Sequence, residues 1–178
     1  MLDDKYKNTS SAASDPVTVG FKIAAIEPVR RRRGDGAVHE SRTLGRLSYV
    51  WMPSGRPSFW HGELTSSDFP KGLKIVCEVE GDEPPGSDHA ACLVAIRRRL
   101  AKDTAASVPL MRARLREMRL PDALEPAQLR LAGVHLPARP MMSARLVLEY
   151  RIDPAPKLLF MVVFLHGKPT AVHVDSDA

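Results

Sequence analysis

The spacing of apolar residues changes twice along this chain, and that change limits the folds open to it. Up to Val79 the apolar positions alternate with polar ones, as in strands half-buried against a core. Val17, Val19, Phe21 and Ile23 alternate, then Leu47, Tyr49 and Trp51, then Leu73, Ile75, Cys77 and Val79. From Ser87 the period lengthens. Cys92, Leu93, Ile96 and Leu100 share one helical face, and Met111, Leu115 and Met118 share another. After Pro121 the period returns to two, in Leu131–Leu136, in Leu146, Leu148 and Tyr150, and in Val172 and Val174. Strands, then helices, then strands predict an α+β fold, with an antiparallel sheet and a central pair of helices packed on one face.

Punctuation residues set the expected boundaries. Pro28 ends the first strand, and Arg30–Ser41 reads as a charged loop. Met52–Pro57 supplies the turn before a returning strand at Phe59–Leu64. Ser87 or Asp88 is the expected N-cap of the first helix, and Ser107, with Pro109 in the first turn, that of the second. A short helical turn is expected at Pro126–Arg130. Leu158–Leu165 is apolar without a break, which predicts a central strand covered on both faces. His166-Gly167-Lys168-Pro169 marks a tight turn. Residues 1–16 hold too little apolar surface to offset the entropy of ordering, so a disordered tail precedes a single domain over 17–178.

The polar N-terminus lacks the apolar core of a signal peptide, and no apolar run approaches membrane-spanning length. The expected compartment is cytoplasmic, with Cys77 and Cys92 as reduced thiols. The net charge of +5 is unevenly spread. Eight basic residues face two acidic ones between Arg97 and Arg119, whereas seven acidic residues face two basic ones between Glu63 and Asp88.

No catalytic constellation is visible. Phosphate-binding glycine loops, a Gly-x-Ser-x-Gly elbow and His-x-x-x-His or Cys-x-x-Cys spacings are all absent. No catalytic residue, cofactor or metal is therefore assigned, and the balance tips away from an enzyme. His166, His173 and Asp175, gathered near the final hairpin, are the residues a small enzyme or metal protein would use. The acidic stretch Glu78, Glu80, Asp82 and Glu83 is the candidate surface for a protein partner, since complementary charge steers association. The alternative partner is nucleic acid. It would meet Arg97, Arg98, Arg112, Arg116 and Arg119 on the helices, the last three on one face. The run Arg30–Arg33 reads as a solvated loop.

Three segments resemble bacterial domains of unknown function found in polymorphic-toxin and immunity gene neighbourhoods. They are Leu44-Gly45-Arg46-Leu47-Ser48-Tyr49 leading to Trp60-His61-Gly62-Glu63-Leu64, the arginine-rich helical pair, and the closing hairpin from Leu159 to Pro169. The resemblance covers residues 44–175, and the Pro-rich segment Pro137–Pro156 and the basic balance depart from it. It implies an immunity or accessory factor that acts by binding, without catalysis.

Overall fold

A computed structural model describes residues 36–53, 56–140, 145–153 and 155–176, all within a compact unit spanning Arg31–Ala178. The proposed tail, the Val17–Ile23 strand and the Arg30–Arg33 run lie outside the described residues.

Eight strands form one sheet in chain order: β1 Val38–Ser41, β2 Gly45–Val50, β3 Ser58–Glu63, β4 Lys74–Val79, β5 Leu129–Leu136, β6 Arg145–Ile152, β7 Ala155–Leu165 and β8 Lys168–Ser176. One helix, α1 (Ser87–Glu117), joins β4 to β5, and a 3₁₀ turn at Pro126–Gln128 leads into β5. Each half of the sheet is an antiparallel meander. At the centre β4 and β5 run parallel, with Lys74 opposite Gly133 and Cys77 opposite Leu136. The helical crossover carries the chain from the C-terminal end of β4 back to the end where β4 began, so the two strands point the same way. The wholly antiparallel sheet with a pair of helices is thus corrected to a mixed sheet with one helix.

The merging of the two expected helices has a local cause. Pro109 lies inside α1, where it deprives the Ala105 carbonyl of its usual amide partner. Ser107 does not cap a new helix. It is fully buried, and its hydroxyl donates back to the Asp103 carbonyl at 2.8 Å. Leu93 and Ile96 anchor the helix before the proline and Met111 and Leu115 after it, all in the main core. Packing on both sides outweighs a local penalty of about 3 kcal/mol. The 31 residues extend roughly 46 Å.

Alternate residues of every strand point to the helix side. Leu47, Trp60, Ile75, Cys77, Val134, Leu148, Tyr150, Phe160 and Val162 are buried there with α1. Among the described residues, no helix or strand packs on the opposite face. That changes the reading of β7. It is the seventh of eight strands rather than a central one, and its burial alternates: Phe160, Val162 and Phe164 are buried, Met161 and Val163 only partly. Its unbroken apolar run therefore places half-buried Met161 and Val163 on the face opposite α1, beside the buried Val147 of β6. The β7–β8 hairpin closes through His166 and Gly167, with φ of 50° and 73°. Positive φ at both residues is what a two-residue turn matched to strand twist requires, and glycine meets it without strain. β1, expected as loop, pairs with β2 from Val38 to Ser41.

Candidate functional site

The parallel pair brings the C-terminal ends of β4 and β5 out together at one end of the sheet's central strands, where α1 begins. In sheets of parallel strands this is where ligands and partners are usually met. A cleft of about 540 Å³ opens there between the β4–α1 loop and the segment after β5, with Glu80, Glu83, Asp88, His89 and Arg139 in its walls.

Two buried side chains hold the loop backbone from beneath, and a third ties the start of α1 to the strand that leads into the loop. Tyr49, on β2, donates its hydroxyl to the Gly81 carbonyl at 2.9 Å. Trp60, on β3, donates Nε1–H to the Glu83 carbonyl at 2.9 Å. His89, in the first turns of α1, places Nε2 3.3 Å from the Glu78 carbonyl, so the proton sits on Nε2. Burial lowers the His89 pKa, against the opposing pull of its bond to Glu78, the Asp88 charge and the Pro137 backbone. The imidazole is neutral at pH 7 and acts as a fixed peg. Tyr49 and Trp60 support one another, with ring centroids 5.2 Å apart.

The carboxylates point outward from this scaffold. Glu80, Asp82, Glu83 and Asp88 are exposed. Glu80 bonds Arg139 at 2.6 Å across the cleft mouth, and this raises the Arg139 pKa further. Asp88 sits in the first turn of α1, where the helix dipole favours a negative charge. Glu78 lies apart from the others, half-buried on β4 opposite Phe59. Of the four acidic residues singled out in the sequence, Glu80 and Glu83 line the cleft, Asp82 lies between them on the loop, and Glu78 lies on the strand below. Asp88 and Arg139 complete the cleft and were missed. In the sequence Asp88 counts toward the acidic stretch and as a cap but not toward the candidate surface, and Arg139 is 59 residues from Glu80.

The helical arginines are dispersed and largely engaged. Arg97 bonds Asp68 at 2.5 Å, Arg116 pairs with Asp122 at 2.7 Å, and Arg112 bonds both the Leu124 carbonyl and Glu125 at 2.9 Å. Arg98 is exposed. Arg119 lies beyond the helix end in a left-handed turn, φ 58°, so it does not extend the face carrying Arg112 and Arg116. His173 and Asp175 share a strand face, opposite Met161 and Leu159, while His166 occupies the turn. Among the described residues no three His, Cys, Asp or Glu side chains come together as a metal site. No helix among them is long and apolar enough to cross a membrane. Cys77 and Cys92 are free thiols, and burial pushes Cys77 up to about 12.

Comparison of the chain with family models, characterised proteins and solved structures finds no match.

Proposed function

We propose that this chain is a non-enzymatic, cytoplasmic protein-binding domain, of the immunity or accessory type, that docks a basic segment of its partner on the loop from Glu80 to Asp88. One observation carries the reading: Tyr49 and Trp60 fix the loop backbone, and His89 ties the start of α1 to β4, while the loop carboxylates stay in water. A surface ordered before binding loses less entropy on association than a mobile one. Its negative field attracts a cationic partner and raises the encounter rate. A lysine or arginine entering the cleft meets Glu83 and Asp88 directly and competes with Arg139 for Glu80.

The test is affinity purification from the native cell, with and without nuclease, at low and high salt, for the wild type and an Asp82→Lys/Glu83→Lys variant. The expected result is a stoichiometric protein that survives nuclease, weakens with salt and is lost in the variant. Recovery of no such protein, or one retained equally by the variant, overturns the proposal. Nucleic acid as the partner is the second reading. Its arginines already bond Asp68, Asp122 and Glu125, so less of their charge is available to phosphate.

A further inference from the structure

A second cleft lies on the other side of the molecule's central seam, away from the acidic loop. It exists because the two parallel strands start out of step. β5 begins at Leu129, but β4 begins only at Lys74, paired with Gly133. Leu129–Leu131 therefore pair with β6 on one side and have no β4 neighbour on the other. The split leaves a cavity of about 260 Å³. Lys71 and Lys74 form one rim, and Arg130 and Arg151, paired across β5 and β6, the other.

Its inner wall is a charged side chain that the sheet has been shaped to admit. Glu149 projects from the face of β6 opposite α1 and is only 7% exposed. One carboxylate oxygen, Oε1, bonds His135 Nε2 at 2.6 Å. The other, Oε2, lies over Gly133, where a Cβ would overlap it. A bulge at Ala132 shifts the β5 register just before this glycine. Bulges of this kind re-aim neighbouring side chains and recur beside binding sites. Burying a carboxylate is costly unless it is bonded, and a cross-strand pair on a sheet face needs neither a bare glycine nor a bulge. Among the described residues, Glu63 lies opposite Lys74 on β3, Asp153 bonds Arg130 at 2.9 Å, and Arg151 donates to the Pro156 carbonyl at 2.8 Å.

We propose that this cleft binds a small phosphate monoester that also carries a hydroxyl group. Lys71 and Lys74 hold the phosphate, with Arg130 and Arg151 adding positive potential from the opposite rim. Glu149, oriented by His135, accepts the hydroxyl hydrogen bond. The carboxylate gives the site its selectivity: it repels a bare anion and rewards one that brings a donor. The volume suits a ligand of a few carbon atoms, below the range of drug-sized pockets, roughly 300–1,000 Å³.

The test is titration of the full chain with glycerol 3-phosphate and, separately, inorganic phosphate, followed by amide NMR and calorimetry. The expected result is saturable glycerol 3-phosphate binding, with shifts centred on Lys74, Gly133 and Glu149, at least tenfold tighter than inorganic phosphate. Lys71→Ala/Lys74→Ala, at two exposed positions, should weaken both ligands at least tenfold. Glu149→Gln should abolish the preference between them. Shifts spread evenly over the helical arginines, equal affinity for the two ligands, or no saturation by 10 mM, a ceiling on the order of the weakest specific affinities, would each overturn the proposal. The acidic loop is not involved, so Asp82→Lys/Glu83→Lys should bind glycerol 3-phosphate as the wild type does. Failure here is thus distinguishable from failure of the docking proposal.

Discussion

Tyr49→Phe isolates the peg beneath the acidic loop. The substitution keeps the ring, its packing against Trp60 and its buried position, and removes one oxygen that donates to the Gly81 carbonyl at 2.9 Å. A neutral hydrogen bond contributes about 1 kcal/mol net, and up to about 3 kcal/mol when its loss strands a buried partner. Gly81 is exposed, so water can replace the phenol at its carbonyl, and the smaller figure applies. The expected loss is therefore about 1 kcal/mol, or roughly 3 °C in Tm for a domain of this size. Urea denaturation should show the midpoint falling with its slope unchanged. Hydrogen exchange should show faster protection loss confined to the segment from Gly81 to Gly86. If stability falls but exchange there does not change, the bond holds Tyr49 and not the loop. If neither changes, the pre-ordering argument behind the docking site fails.

Four further outcomes are expected. Pro109→Ala restores an amide donor for the Ala105 carbonyl at an exposed helix position, and should raise stability by roughly 1–3 kcal/mol in urea titration. Gly133→Ala should cost about 1–2 kcal/mol by displacing the Glu149 carboxylate from His135, and adding Glu149→Ala should recover part of that loss in a double-mutant cycle. The lowered His89 pKa means the unfolded chain binds the proton more readily. Stability should therefore fall as pH drops below the ordinary histidine value of about 6.5, and His89→Gln should flatten that limb of a pH-dependent Tm profile. Cys77, pushed up to about 12 by burial, should resist iodoacetamide in the folded protein and react only on unfolding, as followed by mass spectrometry.

Most strands were legible because each shows its buried face at every second residue. Leu73–Val79 and Leu146–Tyr150 became β4 and β6 with little change at their ends. β1 escaped notice because Val-His-Glu-Ser offers no alternation and gains its structure only by pairing with β2. The helix count failed at Ser107 and Pro109, a pair that opens helices in isolation and is here overruled by core contacts at Leu93, Ile96, Met111 and Leu115. β7 was misplaced because an apolar run reports the preference for burial but not what is available to cover it. Glu80 and Glu83 were legible as charge. The cleft they share with Arg139 depends on parallel strands that composition does not reveal. The His135–Glu149 pair left one faint sign: a single glutamate inside the otherwise apolar stretch from Leu146 to Tyr150.

The central seam also has a consequence for how the chain comes together. Within each meander every strand finds its neighbour a short way along the chain, but Lys74 and Gly133 meet only after the intervening segment has closed a large loop. Closure entropy grows with loop length, and contacts distant in sequence are the slow ones to form. The two halves should gain order as separate units, with β4 and β5 exposed as temporary edges until α1 docks. Unpaired edges of this kind invite another chain to pair in place of the proper neighbour. The risk of domain swapping or aggregation during refolding is therefore concentrated at the middle of the finished sheet, where the native protein shows no edge at all.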